Sequence, residues 1–320
     1  MIMMVLIYSD TEKGALELLS KGRELADAAG RKVSVVITGP DAGSRAKRFI
    51  EHGADRVILA APSLEGFKAE EIADVLEGIV KDEKEDVILI SSTKNGKELA
   101  PRLAAMLDAG CVTDATSIDI DSGRLRVERT VYSGNAVAKE EFASTPAVIT
   151  VPGKAFDPLP PDPSRTGEVI EAAVQPGGHG SRIIEVKKMV SEGVNVEDAE
   201  IIVSCGRGFK SSDDLKMLEE LADTLNGVTL GCSRPIAADL KWLSDDHWIG
   251  LSGHKVKPKL YVACGISGQI QHVAGMRDSG IIVAINKDPD APIFNSADYG
   301  IVGDLYQVIP KLVEALKARK

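Results

Sequence analysis

A chain of 320 residues that is 44% hydrophobic and 27% charged can bury a sizeable core, and its length suggests two domains. The net charge of −10 argues against nucleic acid, whose binders carry basic faces. No apolar run reaches the about 20 residues that span a bilayer, so no membrane insertion is expected.

The opening MIMMVLIYSD is short and lacks a basic leader and a small-residue cleavage site, which favours a cytoplasmic protein beginning on a strand. An amphipathic run, TEKGALELLSKGRELADAAG, follows; Leu18, Leu19, Leu25, Ala26 and Ala29 share one face, and Gly30 suits its C-terminal cap. Then come strand KVSVVIT, a helix ending near Gly53, strand RVILA, a helix from about Ala69 to Val80, strand DVILIS, and a helix in GKELAPRLAAMLDAG with Pro101 in its early turns. Such alternation implies a mostly parallel sheet covered on both faces. From Thr113 the pattern turns to short strands, then PAVITV, then the proline-rich VPGKAFDPLPPDPS, which suits neither a helix nor a central strand. A charge-rich, linker-like passage around Val186–Asp198 follows, and a domain boundary is expected there, giving domains 1–187 and 188–320.

The second half runs strand AEIIVSC, turn GRG, a helix capped by Ser212 or Asp213 with Gly227 at its end, strand GVTLG, turn CSRP, strand KLYVACG, turn GISGQIQ, strand IIVAIN, turn KDPDAPIF and strand YGIVGD. Asp304 caps the last helix, which contains Pro310. In an open parallel sheet these turns all emerge at the carboxyl edge, where ligands bind. One polar turn means little, because such turns are rich in glycine and polar residues for capping reasons alone; five at one edge favour a nucleotide-sized ligand. Neither GRGFKS nor GISGQIQ completes the dinucleotide fingerprint, and the next strand end, Gly231-Cys-Ser-Arg, offers no carboxylate for a ribose. Arg234 suits an NADP phosphate, so a pyridine-nucleotide reading stays open. His272 is either a satisfied core histidine or a ligand contact. Cys111, Cys205, Cys232 and Cys264 have no C-x-x-C spacing, and three of them sit beside glycines in crowded strand ends, where a small side chain packs well. No nucleophile with a base is evident, so no catalytic residue and no metal ligand is assigned.

The stretches CGRGFKSSDD, LGCSRPIAAD, IGLSGHKVKPKLYVACGISGQIQHVAGM and IIVAINKDPDAPIFNSADYGIVGDLYQVIPKLVEAL closely resemble the alpha subunit of electron transfer flavoprotein. GKELAPRLAAMLD, VTDATSID and YSGNAVA extend the resemblance through the first half. It implies two α/β domains on doubly wound, mostly parallel sheets. The N-terminal domain would pack with a beta subunit in a heterodimer, and the Rossmann-like C-terminal domain would bind FAD. The chain would then carry electrons rather than act as an enzyme itself. Flavin dehydrogenases such as acyl-CoA dehydrogenases would donate single electrons, and a membrane quinone oxidoreductase or another acceptor would take them. An alternative is the shuttle-flavin subunit of an NADH-oxidising bifurcating complex. By position, the resemblance places Arg207 and Ser233 on the FAD and Arg234 against the isoalloxazine. It runs Ile249, Gly250, Leu251 and Ser252 past the flavin ring. Ser267, Gly268, Gln269, Ile270 and Gln271 would line the ribityl and pyrophosphate path, with His272 at the pyrimidine side of the ring. Asn286, Asp304 and Leu305 would hold the adenosine end. A guanidinium and an imidazole there would stabilise the negative charge a flavin gains on reduction. Where the family usually reads G-Q-T-G-K, this chain reads Gly250-Leu-Ser-Gly-His254: an amide is lost, a hydroxyl kept, and a fixed cation becomes titratable.

Overall fold

The computed structural model describes residues 4–39, 41–61, 66–172, 177, 183–185 and 195–319. They form two compact units, Met1–Ile184 and Glu185–Lys320. The boundary expected between 187 and 188 lies outside the described residues.

The first unit is wound around hydrophobic strands with both faces buried. Its elements are β1 (Val5–Tyr8), α1 (Glu12–Ala29), β2 (Val33–Thr38), α2 (Ala42–Glu51), β3 (Arg56–Ala60), α3 (Ala69–Glu83), β4 (Val87–Ser91), α4 (Lys94–Met106), β5 (Gly110–Val112), β6 (Ala115–Asp121), β7 (Arg124–Val131), β8 (Ala136–Glu141), β9 (Ala147–Val151) and β10 (Glu168–Glu171). Seven strands make a parallel sheet in the order β10-β3-β2-β1-β4-β9-β5. The period-2 geometry of a strand sends Val5, Ile7, Val87 and Leu89 to a core with α1 and α2. Leu6, Tyr8, Ile88 and Ile90 go to the opposite core with α3 and α4. Continuous apolar strands are therefore what a sheet covered on both sides requires.

Helix α1 starts at Thr11, whose side chain accepts from the Gly14 amide, and ends at Gly30 with φ +64°. Strands β6, β7 and β8 form a separate antiparallel meander. Two features differ from the sequence expectation. Helix α3 runs on to Glu83, because Lys84 itself takes the left-handed cap conformation. The segment after the prolines contains an edge strand, β10, in register with β3. It is four residues long and mostly exposed, so it carries no buried apolar alternation to announce it.

The second unit holds β11 (Ile201–Cys205), α5 (Leu215–Thr224), β12 (Val228–Cys232), β13 (Leu260–Cys264), α6 (Ile270–Met276), β14 (Ile281–Asn286), β15 (Tyr299–Val302) and α7 (Leu305–Lys317). Its five strands are all parallel in the order β12-β11-β13-β14-β15. This doubly wound order reverses between β11 and β13, which places a ligand crevice at their carboxyl ends. Helices α5 and α7 cover one face, and α6 lies with the other core. The approach to α5 begins one residue earlier than expected. Ser211 caps a short 3-10 turn, and its amide donates to Asp214 Oδ2 at 2.9 Å, since the capping arrangement needs an acid three residues on. Helix α7 is capped by Asp304, whose carboxylate accepts from the Tyr306 amide at 3.0 Å, and it accommodates Pro310.

Glu85, between α3 and β4, is an internal stress. It is 3% exposed, and neither carboxylate oxygen has a hydrogen-bond partner. Burial raises its pKa to about 7, against the smaller opposing effects of the Ser34 hydroxyl and Arg56, with Glu83 and Asp86 adding to the rise. A carboxyl whose folded pKa lies above its unfolded value is most at ease protonated. The native state therefore loses stability as pH climbs from 4.5 through 7. Glu85→Gln should gain on the order of 3 kcal/mol at pH 8 relative to pH 5. Denaturant titration of the full chain at the two pH values measures it; an unchanged pH dependence in the variant refutes it.

Candidate functional site

The crevice at the β11–β13 switch point is built by small residues. β12, β11 and β13 end in register at Cys232, Cys205 and Cys264. All three thiols are fully buried. Burial pushes the Cys205 thiol up to about 12 and the other two upward as well, so they pack as neutral small groups. Among the described residues no group of three or more His, Cys, Asp or Glu is arranged to hold a metal ion.

Beyond these cysteines the turns meet backbone to backbone. Gly206 N–H donates to Cys264 O at 3.0 Å, Gly208 N–H to Gly265 O at 2.9 Å, and Ser233 N–H to Cys205 O at 2.9 Å. A Cβ on Gly208 would stand 2.6 Å from the Gly265 Cα, and Gly265 itself has φ +64°. The approach is therefore closed to any side chain.

Around this seam lies a cleft of about 730 Å³. Of the expected residues, Arg207, Ser233, Arg234, Ile249, Gly250, Leu251, Ser252, Ser267, Gln269, Gln271, His272 and Asn286 line it together. Gly208, Pro235, Trp248, Gly265, Ile266, Asp288, Ala291 and Pro292 complete the wall. The Arg234 guanidinium lies 6.0 Å from the Trp248 ring centre. Asn286 is committed to shaping the wall: its Nδ2 donates to Ile266 O at 2.9 Å, and its Oδ1 accepts from the Asp288 amide at 3.0 Å.

Four expected residues do not line the cleft. Gly268 (φ +82°) lies behind it, where a Cβ would stand 2.2 Å from the Ile293 nitrogen. Ile270 points to solvent. Asp304 is occupied as the α7 cap. Leu305 is buried as a wedge beneath two glycine turns; a Cβ on Gly265 would meet its Cδ2 at 2.8 Å, and one on Gly208 at 3.1 Å.

The loop 249–254 is closed at its base by backbone hydrogen bonds. Gly250 N–H donates to His254 O, His254 N–H to Trp248 O, and Leu251 N–H to Gln271 O at 2.7 Å. Leu251 is exposed, and His254 Nδ1 pairs with Glu197 Oε1 at 2.9 Å.

His272 is 7% exposed, and burial lowers its pKa to about 4, so the ring is neutral at pH 7. The imidazole is thus a neutral group of the wall, and the cations lining the cleft are Arg207 and Arg234. The sequence reading also missed Tyr261, which is fully buried with its hydroxyl 3.0 Å from His272 Nε2, and Trp248, the aromatic immediately before the glycine loop.

The cleft fits a flavin nucleotide. Its volume falls within the roughly 300–1,000 Å³ of small-ligand sites. Two guanidinium groups suit phosphate or an electron-rich ring, Trp248, Ile249 and Pro292 supply apolar surface, and His272 Nδ1 has no hydrogen-bond partner. Fold and cleft together define a doubly wound nucleotide-binding protein with a cation-bearing rim. Residues 7–176 match the electron transfer flavoprotein domain, and residues 195–277 match the electron transfer flavoprotein FAD-binding domain. The electron transfer flavoprotein subunit alpha of Thermoanaerobacterium thermosaccharolyticum is 42% identical, covering 96% of this chain and 94% of its own length. That of Bacillus subtilis is 40% identical over 91% of each chain, and the protein FixB of Clostridium saccharobutylicum is 36% identical over 96% and 93%. The chain belongs to the electron transfer flavoprotein alpha-subunit family, and its cofactor is FAD. No helix among the described residues is long and apolar enough to cross a membrane.

The Gly268 contact yields a direct expectation. Gly268→Ala should cost at least about 2 kcal/mol, because it combines left-handed backbone with a backbone clash. Thermal unfolding measures this, and a melting temperature within a degree of the parent contradicts it.

Proposed function

We propose that this chain is the FAD-carrying half of a heterodimer with a beta subunit. It would pass single electrons from flavin dehydrogenases, such as acyl-CoA dehydrogenases, to a membrane quinone oxidoreductase or another acceptor. The observation that carries this reading is the convergence of twelve family-matched positions on one cleft with two guanidinium groups and no nucleophile–base pair. FAD supplies the ring that accepts and releases electrons. What the chain supplies is placement and field. Arg207 and Ser233 hold the cofactor, the Ile249–Ser252 loop and Trp248 shield the ring from water, and Arg234 sets a positive charge beside it. A fixed cation favours the reduced, more negative ring and so raises its potential. Gly268, Asp304 and Leu305 act from behind the wall, holding the turns in place.

Co-expression with its beta subunit should give a yellow complex; a folded but colourless complex refutes the reading. One FAD per heterodimer in this chain and no NADH oxidation separates a carrier from a bifurcating assembly, which would hold two flavins and oxidise NADH. Arg234→Ala should retain FAD but lower its midpoint potential by roughly 40 mV, the equivalent of about 1 kcal/mol for one electron. Potentiometric titration reads the shift, and an unmoved potential removes Arg234 from the proposal.

A further inference from the structure

Asparagine followed by glycine is a chemically fragile pair, because the glycine nitrogen, with no side chain beside it, reaches the asparagine side-chain carbonyl and closes a cyclic imide. The chain contains two such pairs, Asn95-Gly96 and Asn226-Gly227. The fold treats them in opposite ways. Asn95 is the second residue of α4. Its Nδ2 donates to Asp10 Oδ2 at 2.7 Å, and the Gly96 N–H donates to the Thr93 hydroxyl at 3.0 Å. Gly96 is buried against the end of β4, since a Cβ there would stand 1.8 Å from the Ser91 carbonyl oxygen. Ring closure at this pair requires both hydrogen bonds to break and the first turn of α4 to unwind.

Asn226-Gly227 forms the turn between α5 and β12. Asn226 has φ +45° and Gly227 φ +70°, so consecutive residues lie in left-handed backbone, which asparagine and glycine tolerate best. Both are exposed. A Cβ on Gly227 would meet nothing within 4 Å. Among the described residues, neither the Asn226 side chain nor the Gly227 N–H makes a hydrogen bond.

We propose that Asn226 is a site of spontaneous deamidation in the folded protein, and that the fold protects Asn95 from the same reaction. The Gly227 nitrogen attacks Asn226 Cγ. The new C–N bond forms as the bond to Nδ2 breaks, and Nδ2 leaves as ammonia, taking up the proton that Gly227 gives up. Water then opens the cyclic imide. Cleavage at Cγ yields aspartate; cleavage at the main-chain carbonyl yields isoaspartate, whose backbone runs through the former side chain and is longer by a methylene. Nothing is oxidised or reduced. Either product places a carboxylate just past the C-terminus of α5, whose last turn holds no basic residue to offset it. The isoaspartate also displaces the start of β12, where Val228 pairs with Ile201 of β11. That strand ends at Cys232, and Ser233 and Arg234 of the cleft follow it directly. The reaction is thus a slow, irreversible change in a strand that positions the site, whichever nucleotide the site holds.

The test incubates the full chain, co-expressed with its beta subunit, in mildly alkaline buffer beside a sample unfolded in urea, and maps both by peptide mass spectrometry. In the folded sample the Asn226 peptide should exchange its amide nitrogen for oxygen at least about ten-fold faster than the Asn95 peptide, because only Asn95 needs a local opening first. In urea the two pairs should react at comparable rates. Isoaspartate at 226, read by enzymatic methylation of its free α-carboxylate, should accompany aspartate, and the incubated chain should melt at a lower temperature than the fresh one. Asn226→Gly, which accepts the left-handed backbone, should leave that turn unmodified and the melting temperature steady over the same incubation. An intact Asn226 in the folded sample, or equal rates at the two pairs there, overturns the proposal.

Discussion

The backbone contact between the Gly206–Gly208 turn and the Gly265 turn is the constraint on which the cleft depends. β11 and β13 are adjacent parallel strands that end in register, so the turns after them are forced against each other. They fit because Gly208 and Gly265 carry no side chain and because Cys205, Cys232 and Cys264 below them are small. Two amide-to-carbonyl hydrogen bonds then lock the turns together. Arg207 sits between the two anchored glycines, so its Cα position is determined by backbone alone. Leu305 fills the space beneath, coupling the start of α7 to the same seam. A second brace comes from Tyr306, whose hydroxyl donates to Asp214 at 2.7 Å and accepts from the Lys210 amide at 2.8 Å. The downstream end of the turn is thereby tied to both α5 and α7.

Above this seam the electrostatics fall into two layers. The buried layer is neutral: desolvation raises the three thiols and Tyr261 and lowers His272, each toward its uncharged form. The rim carries the charge, on exposed guanidinium groups that keep their hydration until a ligand displaces it. A redox cofactor gains from this division. Buried neutral dipoles hold their orientation whatever the charge on the ring, whereas a buried ionisable group would take up or release protons with each electron. A fixed rim cation interacts more favourably with a reduced, more negative ring than with an oxidised one.

Much of this was legible in the sequence, for identifiable reasons. Apolar strands ending in glycine-rich polar turns gave the alternation, and Gly30 and Asp304 marked helix ends because capping is local chemistry. Twelve of sixteen expected site residues share the cleft wall: most lie at or just beyond the carboxyl ends of β11, β12, β13 and β14, and Ile249–Ser252 come from the β12–β13 connection. The misses are non-local. β9 inserts between β4 and β5, and nothing in PAVITV marks its neighbours. β10 is too short and polar to show a period. Gly268 looks like a ligand contact in a glycine-rich loop, yet its freedom answers to Ile293, which is distant in sequence. Tyr261 reads as an ordinary strand residue until the fold brings it under His272.

The departure at Leu251 and His254 has a physical explanation in how that loop is held. Its base is closed by main-chain hydrogen bonds from Gly250, His254 and Leu251, none of which depends on side-chain identity. Close approach by α6 adds to this, since a Cβ on Gly275 would stand 2.5 Å from the Gly250 nitrogen. The path of Ser252 is therefore fixed by glycines and backbone, while the side chains at 251 and 254 are left to vary. Leu251 uses that freedom to present apolar surface at the cleft mouth, and His254 uses it to reach Glu197 in the segment just before β11. The His254 imidazole, held by the Glu197 carboxylate, lies outside the residues that line the cleft. The positive charge lining the cleft is thus left to Arg207 and Arg234.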